Sequence, residues 1–541
     1  MIEIIVVVAV FVIDILVLHL QSESLCFIAL RKDVFAEGLQ VQTQSGYTFC
    51  AYTGIPYAKP PIEKDRFEPP KKLSLWKGTK QFTKTTNVCV QLSYETYEVI
   101  GNEDCLFLNI FTTANRNPRK GELLPVMFWI HGGSFNVGSA GSDLNRPDFF
   151  LEKDILVVTI NFRLGPMGYL SYSNMKRNIG LHDQRMALQW IHDNIKYFGG
   201  NNSKITLSGW SSGGASVSFH MYSKKSQHLF HQAIMMSGNM LNPWAFESDV
   251  LRCTYELFKE LNISNSTYVV DELKLIDAYD LIPPVFSDEL KIVLLGFAQF
   301  CFVPTTDDDF AKHLPHIISR QGTPSNIPTL IGTTSLESDW MMSFETRNFR
   351  YPNKNFNISN FVEQFMSRTF DRDSAEKENF IQNFQIAADI NHGIHQFVQN
   401  FVNLTKQQNV FLYRFSYDKS GDSRDNRANV GAVHGDELKY LFKGDFQENS
   451  KKLPREELMS QRMVNLWSNF IKFGNPTPNK VDSIIDLSWP SFTLEEKLLL
   501  NIDYDITVEQ LSDNDKAFKL WDSIYQCMYN AECDEPNKFL Q

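Results

Sequence analysis

The sequence predicts an α/β fold in which a mostly parallel central sheet is flanked by helices. Three observations indicate this class: short β-branched apolar runs recur along the 541 residues, helical patterns separate several of them, and no repeat or long Gly/Pro/Ser linker divides the chain. Strands that alternate with helices are typical of doubly wound parallel sheets. Such sheets bind their ligands beyond the carboxyl ends of the strands, so we expect the functional residues there.

The predicted strands share a short, apolar composition without polar alternation, which is typical of strands buried on both faces. They are residues 125–130, 155–160, 204–209, 232–238, 327–332 and 410–416. The clearest helical pattern covers residues 181–198, with apolar Met186, Leu188, Trp190, Ile191 and Ile195, and stops at a Gly-Gly pair. With 43% hydrophobic residues, the chain can bury a large core.

The amino-terminal segment predicts entry into the secretory route. Residues 4–20 are almost continuously apolar and are followed by small polar residues where a signal peptidase could cleave. We therefore expect a signal peptide over residues 1–24. Because Glu3 and Asp14 depart from the usual signal pattern, and 17 apolar residues approach the length of a membrane span, an uncleaved anchor is the alternative.

The composition agrees with a secreted glycoprotein. Eight cysteines, an even number, fit an oxidising compartment, and the polar carboxyl terminus carries no lipid-anchor or retention signal. A net charge of -11, from 52 basic and 63 acidic residues, argues against nucleic-acid binding. We expect a soluble product without a stable membrane anchor. The Asn-x-Ser/Thr sequons are Asn201, Asn262, Asn265, Asn357 and Asn403.

The sequence "GWSSGG" at residues 209–214 predicts a serine nucleophile on a sharp turn. It follows the predicted strand 204–209 and precedes a stretch that can start a helix, which is the context of a G-x-S-x-G elbow. Gly209 and Gly213 frame Ser211, whereas Ser212 would need a glycine where Trp210 stands. Ser211 is therefore the candidate nucleophile, and a plain Gly/Ser loop is the alternative.

A serine hydroxyl needs a neighbouring base that is itself oriented by a carboxylate. His434 lies in a short turn between two glycines in the last third of the chain, where a loop could deliver its imidazole to the site. Glu337 and Asp339 both follow the predicted strand 327–332, and the residues alone do not rank these two carboxylates. With either carboxylate, the residues follow the chain order serine, acid, histidine.

The turn "HGGS" at residues 131–134 is a candidate oxyanion hole. It follows the predicted strand 125–130, and a glycine-rich turn there lets backbone N–H groups face a developing negative charge. An ordinary Gly-Gly turn is the alternative interpretation.

These motifs together resemble the type-B carboxylesterases and cholinesterases of the α/β-hydrolase fold. The similarity covers nearly the whole chain in order: "TGIPYAKPP" from residue 53, "NEDCLFLNI" from residue 102, "HGGSF" and the block 178–200, then "GWSSGG", "GTTSLES" from residue 332 and "AVHGDEL" from residue 432. The resemblance implies a single domain over residues 25–541, with no metal or cofactor.

Carried over residue by residue, the resemblance assigns Ser211 as nucleophile, Glu337 as acid and His434 as base. It ranks Glu337 above Asp339, because Glu337 occupies the glutamate position of the family motif. It also implies an oxyanion hole formed by the N–H groups of Gly133, Ser134 and Ser212, and a disulfide between Cys89 and Cys105. For Cys26, Cys50, Cys253, Cys301, Cys527 and Cys533 it implies no pairing.

Departures from the family pattern carry information about the substrate. Trp210 stands where the family usually has glutamate, which removes an anion that helps cholinesterases hold a cationic substrate. The loop between Cys89 and Cys105 lacks the tryptophan that cholinesterases carry, although Tyr94 and Tyr97 could offer a weaker cation-π face. A choline-ester specialist is therefore not expected.

The remaining departures concern the acyl pocket and the oxyanion turn. Ala298 stands where acetylcholinesterases have a large aromatic residue, whereas Phe300 is retained, so we expect room for a larger acyl group. Trp244 falls either on a pocket position or in the core. Ser134 replaces the third glycine of the oxyanion turn, which keeps the N–H but restricts the backbone.

The sequence thus predicts a secreted serine ester hydrolase that acts on small, uncharged carboxylic esters through an acyl-enzyme. Two alternatives stay open. The first is a non-catalytic, cholinesterase-like adhesion protein, since Trp210 and Ser134 alter two constrained turns. The second is a neutral lipid hydrolase, which uses the same chemistry with a larger pocket.

Overall fold

The computed structural model describes most of the chain after the amino-terminal segment: residues 25–43, 45–93, 96–113, 122–141, 146–173, 175–263, 268–282, 301–337, 356–371, 374–418, 431–443, 454–478, 484–512 and 515–529. Several predicted features lie outside these described residues: the signal peptide 1–24, Tyr94, Asn265, Ala298, Phe300, Asp339 and Cys533.

A central sheet of thirteen strands dominates the described part of the chain. Its strands, together with a separate two-stranded ribbon formed by β5 and β6, are β1 Leu25–Arg31, β2 Val34–Gln42, β3 Thr48–Pro56, β4 Gly78–Phe82, β5 Gln91–Leu92, β6 Val99–Ile100, β7 Phe107–Thr113, β8 Leu124–Ile130, β9 Leu156–Ile160, β10 Gly200–Trp210, β11 Gln232–Met236, β12 Thr329–Thr334, β13 Val410–Phe415, β14 Leu498–Ile502 and β15 Thr507–Gln510.

The strand order is β1-β2-β3-β7-β9-β8-β10-β11-β12-β13-β14-β15, with β4 beside β2. From β9 to β14 every neighbouring pair is parallel, whereas β1, β2, β3, β7 and β9 pair antiparallel at one side and β14 with β15 at the other. The carboxyl ends of β8, β10, β12 and β13 therefore meet at one edge of the sheet.

Helices flank this sheet. The α-helices are α1 Asp148–Leu151, α2 Gly165–Tyr169, α3 Ile179–Asn194, α4 Ser212–Tyr222, α5 Arg252–Glu260, α6 Val269–Leu275, α7 Pro315–Gln321, α8 Ile358–Thr369, α9 Ala375–Ile386, α10 His392–Thr405, α11 Leu438–Leu441, α12 Pro454–Phe473 and α13 Lys516–Tyr529. Short 3-10 turns cover Glu63–Asp65, Ile195–Phe198, Gln227–Leu229 and Pro243–Ala245, and a π-helical turn covers Ala387–Asn391.

The predicted fold class is confirmed: the sheet is mostly parallel and is flanked by helices. All six predicted strands are present, with boundaries shifted by up to four residues. The predicted helix 181–198 divides into α3 and the 3-10 turn Ile195–Phe198, which ends at Gly199 in the left-handed conformation with φ 87°. The glycine thus stops the helix as expected.

Each face of the sheet carries its own core, and β8 shows how the sequence supplies both. Val126, Phe128 and Ile130 belong to the larger cluster, which includes residues of α3 and α4. Met127 and Trp129 belong to the other cluster, which includes Trp467 of α12. Because successive strand residues point to opposite faces, a strand buried on both sides must be apolar throughout.

Three disulfides lie within the described residues. Cys89–Cys105, which the resemblance implies, is present. Cys26–Cys50 ties β1 to β3, and Cys253–Cys301 ties α5 to a position 48 residues further along the chain. Neither of these two pairings was predicted. Among the described helices, none has the length and apolar character needed to cross a membrane.

Candidate active site

Ser211 lies between β10 and α4 in a strained backbone conformation. Its φ is 56° and its ψ is -123°, a combination that L-residues rarely adopt. Its N–H donates to the carbonyl of Met236 at 2.8 Å, and its own carbonyl accepts from Ala215 N at 2.9 Å. The first bond ties this turn to the neighbouring strand β11, and the second ties it to the first turn of α4.

The two glycines that frame Ser211 are required by close backbone packing. A Cβ atom at Gly209 would lie 2.4 Å from the carbonyl carbon and oxygen of Gly213, and one at Gly213 would lie 2.1 Å from the carbonyl oxygen of Ile130. Real Cβ atoms do not approach backbone atoms this closely. The pattern that selected Ser211 in the sequence therefore reflects a turn that only glycines can form.

Glu337 and His434 are in direct contact. Glu337 Oε2 lies 2.6 Å from His434 Nδ1, and the Glu337 side chain is fully buried. Its other oxygen, Oε1, accepts from the backbone N–H of Thr334 at 2.6 Å. Hydrogen bonds to both oxygens hold the carboxylate in one orientation, so it can orient the imidazole in turn.

The turns that carry these two residues are paired to each other. Leu336 N donates to the carbonyl of Ala432 at 2.8 Å, and Ser335 Oγ accepts from Ala432 N at 2.9 Å. Because β12 and β13 are adjacent parallel strands, the segments that follow them meet at the carboxyl edge of the sheet. Glu337 and His434, which are 97 residues apart in the sequence, therefore lie within hydrogen-bond distance.

A second buried carboxyl group, Glu437, belongs to the same cluster. Ser237 Oγ lies 2.5 Å from Glu337 Oε1 and 3.2 Å from Glu437 Oε1, and both glutamates are fully buried. Burial, followed by the nearby charge of Glu337, raises the pKa of Glu437 to about 8. Glu437 is therefore mainly protonated at neutral pH and can donate to Ser237, whose single proton is then available to Glu337.

The candidate oxyanion turn follows β8. Gly133 has φ 106° and Ser134 has φ 57°, so Ser134 adopts the left-handed conformation despite its Cβ. The Gly133 carbonyl accepts from the N–H groups of Asn136 and Val137, and the Ser134 carbonyl accepts from Asn136 Nδ2 at 2.7 Å. These bonds fix the orientation of the two peptide groups that contain the Gly133 and Ser134 carbonyls.

Within the described residues, the backbone N–H groups of Gly133, Ser134 and Ser212 make no hydrogen bond. Ser212 is the first residue of α4, where N–H groups lack partners inside the helix. Helix N-termini of this kind favour negative charge. The three groups thus keep the capacity to donate to an anionic oxygen.

The predicted pocket residues have different surroundings. Trp210, the last residue of β10, is half-buried, and its ring centroid lies 4.7 Å from that of His434. Trp244 is only 3% exposed and belongs to the larger core cluster, which agrees with the core alternative. Tyr97 is 58% exposed among the described residues.

The described residues contain one group with the composition of a metal site, Cys253, Glu256 and Cys301. Both sulfurs are consumed by the Cys253–Cys301 disulfide, so the group cannot supply thiolate ligands.

Sequence motifs alone do not identify Ser237 and Glu437. Ser237 directly follows β11, and Glu437 stands three residues after His434 in "HGDEL". A polar residue at the carboxyl end of a central strand was the available signal for Ser237. For Glu437, only its burial beside Glu337 distinguishes it from an ordinary surface glutamate.

Comparison with known proteins agrees with these features along most of the chain. The model of the carboxylesterase family matches residues 35–521. The juvenile hormone esterase of Tribolium castaneum is 29% identical over 532 residues, covering 88% of this chain and 88% of the relative. Venom carboxylesterase-6 of Apis mellifera is 30% identical over 495 residues, covering 84% and 86%. An acetylcholinesterase of Electrophorus electricus is 28% identical over 521 residues, covering 84% and 81%.

Proposed function

The chain belongs to the carboxylesterase family, and we propose that it hydrolyses uncharged carboxylic esters through Ser211, His434 and Glu337. Membership makes the chain an α/β-hydrolase and a carboxylic ester hydrolase that acts on small-molecule esters.

In the proposed mechanism, Ser211 Oγ attacks the ester carbonyl while His434 accepts its proton. The carbonyl oxygen becomes negatively charged and is held by the N–H groups of Gly133, Ser134 and Ser212. His434 then gives the proton to the leaving alcohol, which leaves an acyl group on Ser211. Water repeats the attack with His434 as base, and the carboxylic acid departs. Glu337 orients His434 throughout.

The observation that carries this proposal is the buried hydrogen bond between Glu337 and His434. The Glu337 carboxylate is fully buried and lies 2.6 Å from an imidazole nitrogen of His434. Because burial of an unpaired carboxylate is costly, this partner is part of what stabilises the buried group, and the pair orients the imidazole as a base requires. The ring contact between His434 and Trp210 brings the imidazole beside the residue that precedes Ser211. This contact supports a common site for the proposed base, acid and nucleophile.

The charges of the site support a preference for uncharged esters. Trp210 contributes an apolar indole where a carboxylate would attract a cation. Glu337 is bonded on both oxygens, and the raised pKa of Glu437 keeps that carboxyl mainly neutral at pH 7. Among the described residues of this cluster, no unpaired anion faces a cationic leaving group.

We further propose that the chain is secreted as one domain over residues 25–541 after removal of residues 1–24. The three disulfides support an oxidising compartment. Asn262, Asn357 and Asn403 are exposed and Asn201 is partly exposed, as glycan acceptors must be. A mass decrease after endoglycosidase treatment, and an amino terminus near residue 25, would test both parts of this proposal.

Labelling with a fluorophosphonate probe tests the mechanism, because the probe phosphonylates an activated serine. We expect the wild type to acquire one adduct, on the peptide that contains Ser211, and Ser211→Ala to acquire none. Ser212→Ala is the matched control. It removes a neighbouring hydroxyl but keeps the backbone N–H, so labelling should persist.

The outcomes separate the alternatives. A folded wild type that acquires no adduct would contradict the enzyme mechanism and favour a non-catalytic binding protein. Labelling that survives in Ser211→Ala but disappears in Ser212→Ala would reverse the assignment of the nucleophile.

A series of p-nitrophenyl esters tests the acyl preference. The predicted small wall at Ala298 should accept butyrate at least as well as acetate, with a difference of about 1 to 3 kcal/mol per methylene in an apolar pocket. A clear preference for acetate would contradict the enlarged pocket. Rates that keep rising beyond twelve-carbon chains would favour the lipid hydrolase.

A further inference from the structure

The side chain of Trp210 fills a slot between two turns of the candidate site. A Cβ atom at Gly132, in the turn after β8, would lie 2.5 Å from Cε3 of the indole. A Cβ atom at Gly435, in the turn that carries His434, would lie 2.8 Å from Cζ2. Two residues without side chains therefore make room for the indole, which packs directly against the backbone of both turns.

The indole also supports one face of the His434 imidazole. The two ring centroids are 4.7 Å apart and the ring planes differ by 31°, a tilted stacking contact within the usual range for aromatic pairs. Glu337 holds the imidazole at the ring edge through Nδ1. A hydrogen bond at one edge still allows the ring plane to tilt, whereas a packed face restricts this tilt.

The contact is made by the aromatic face and not by a hydrogen bond. Trp210 Nε1 is buried and has no hydrogen-bond partner among the described residues. The π face of an indole is electron-rich and attracts cations. It therefore interacts more favourably with the imidazolium that forms when His434 accepts the Ser211 proton than with the neutral ring. A contact that strengthens during the reaction raises kcat and not substrate affinity.

We propose that Trp210 is a positioning residue, which fixes the plane of the His434 imidazole and stabilises its protonated form through the indole face. This inference rests on the proposed function, in which His434 is the base. Trp210 bonds directly to Ser211 along the chain and touches the turns that carry the base and the oxyanion donors.

The test compares Trp210→Leu and Trp210→Phe with the wild type in hydrolysis of p-nitrophenyl butyrate. Leucine removes the aromatic face, and a misplaced base should lower kcat by about 10- to 100-fold with KM changed less than about threefold. Phenylalanine restores a π face and should recover kcat to within about fivefold of wild type. Trp76→Leu is the control, because Trp76 packs on Phe82 and donates to the carbonyl of Phe35 in the β2–β4 region.

Proton NMR gives a second readout that is independent of turnover. The Nδ1 proton in the short His434–Glu337 hydrogen bond should resonate far downfield in the wild type and in Trp210→Phe, and should broaden or disappear in Trp210→Leu. If Trp210→Leu fails to fold, as the absence of a cooperative thermal transition would reveal, Trp210→Met offers a longer and more flexible side chain without an aromatic face and serves the same comparison.

The kinetic and NMR results distinguish failure of the positioning role from failure of the proposed function. A Trp210→Leu variant with unchanged kcat and an unchanged downfield resonance would overturn the positioning role, as would a defect confined to KM. A Trp210→Phe variant as impaired as Trp210→Leu would also overturn it. Failure of the proposed function is recognised separately, by a wild type that neither hydrolyses the ester nor reacts with the fluorophosphonate probe.

Discussion

Ser237 shows how a residue that does not touch substrate can determine the geometry of the site. Its hydroxyl donates to Glu337 Oε1 at 2.5 Å, while Glu337 Oε2 holds His434. The backbone of Ser237 has φ 52°, so the chain adopts a left-handed conformation to deliver this hydroxyl. A hydrogen bond to a charged group contributes about 1.5 to 3 kcal/mol, enough to influence where the carboxylate lies.

We expect Ser237→Ala to lower kcat by about 10-fold or more, because a loss of about 1.4 kcal/mol corresponds to a factor of ten. Steady-state hydrolysis of p-nitrophenyl butyrate measures the effect. Ser208→Ala is the matched control: the Ser208 hydroxyl is also buried at the sheet but has no partner among the described residues. Equal rates for the two variants would contradict a positioning role for Ser237.

The raised pKa of Glu437 predicts a loss of activity at alkaline pH. Below a pKa of about 8 the group is neutral and can donate to Ser237. Above it, Glu437 becomes a second buried anion beside Glu337 and can no longer donate, so the support of Glu337 weakens. In Glu437→Gln, whose amide cannot ionise, we expect kcat to stay level through this range. Profiles of kcat from pH 6 to 9.5 measure the difference.

Asp436→Asn is the control for this pH profile. Asp436 neighbours Glu437, but its carboxylate bonds to Val433 N and Lys439 in the same turn and not to Ser237. The alkaline decline should therefore persist in Asp436→Asn. If Glu437→Gln shows the same decline as the wild type, ionisation of Glu437 is not its cause.

At the scale of residues, the sequence is most informative where a local backbone constraint leaves a pattern. Gly209 and Gly213 are spaced around Ser211 because backbone atoms approach within contact distance there. By contrast, Glu337 and Asp339 were distinguished only by resemblance to a family. Ser237 and Glu437 were not identified, because their importance depends on two strands and a turn that are adjacent in space only.

At the scale of elements, the presence of a strand was easier to predict than the residues at which it begins and ends. A strand buried on both faces, such as β8, is apolar throughout, and the sequence pattern follows from that burial. The observed strand boundaries differ from the predicted ones because the first and last residues of a strand are held by pairing with neighbouring strands. Strand β10, for example, begins at Gly200, where it pairs with Leu124. Disulfides Cys26–Cys50 and Cys253–Cys301 depend on that three-dimensional pairing, so spacing alone could not predict them.

The loop lengths closed by the disulfides predict an order of stabilisation. Cys253 and Cys301 are separated by 48 residues, whereas Cys89 and Cys105 are separated by 16. In the chain-entropy model these closures stabilise by about 4 and about 3 kcal/mol respectively. We therefore expect paired Cys→Ser substitution at 253 and 301 to lower the free energy of unfolding by about 1 kcal/mol more than substitution at 89 and 105.

Urea unfolding under non-reducing conditions measures both losses. The wild type treated with a reductant serves as the reference in which all disulfides are open. A larger loss at Cys89–Cys105 would contradict the entropic order and would indicate that native contacts around the shorter loop depend on its closure.

At the scale of the whole molecule, buried histidines determine how the fold responds to acid. Burial lowers the pKa of His131 to about 4 and the pKa values of His182, His220 and His395 to about 3. His220 illustrates the cause: its ring nitrogens lie 3.0 Å from Ser226 Oγ and from Gln184 Oε1 inside the protein. The folded state therefore keeps these four rings neutral at pH values where the unfolded chain binds protons.

The sign of the resulting pH dependence follows from proton binding. Between about pH 6.5 and the lowered pKa values, the unfolded state holds more protons on these histidines, so the free energy of unfolding falls as the pH falls. Glu437 has the opposite effect. Because its pKa is raised from 4.5 to about 8, the folded state holds its proton longer, and stability falls as the pH rises through that interval.

These five groups together predict maximal stability near pH 7, where residual protonation of the four histidines in the unfolded chain balances the proton that Glu437 keeps in the folded state. Below that pH the four histidines outweigh Glu437, and each can contribute up to about 1.4 kcal/mol per pH unit. Between about pH 7 and 8 Glu437 alone dominates, so the decline there should be shallower. Urea midpoints from pH 4.5 to 8.5 measure the profile. His220→Gln keeps a polar side chain in the core and should weaken the acid limb, whereas His228→Gln, at an exposed position, should not. A flat profile below pH 6.5, or equal effects of these two substitutions, would show that proton uptake by buried histidines does not control acid unfolding.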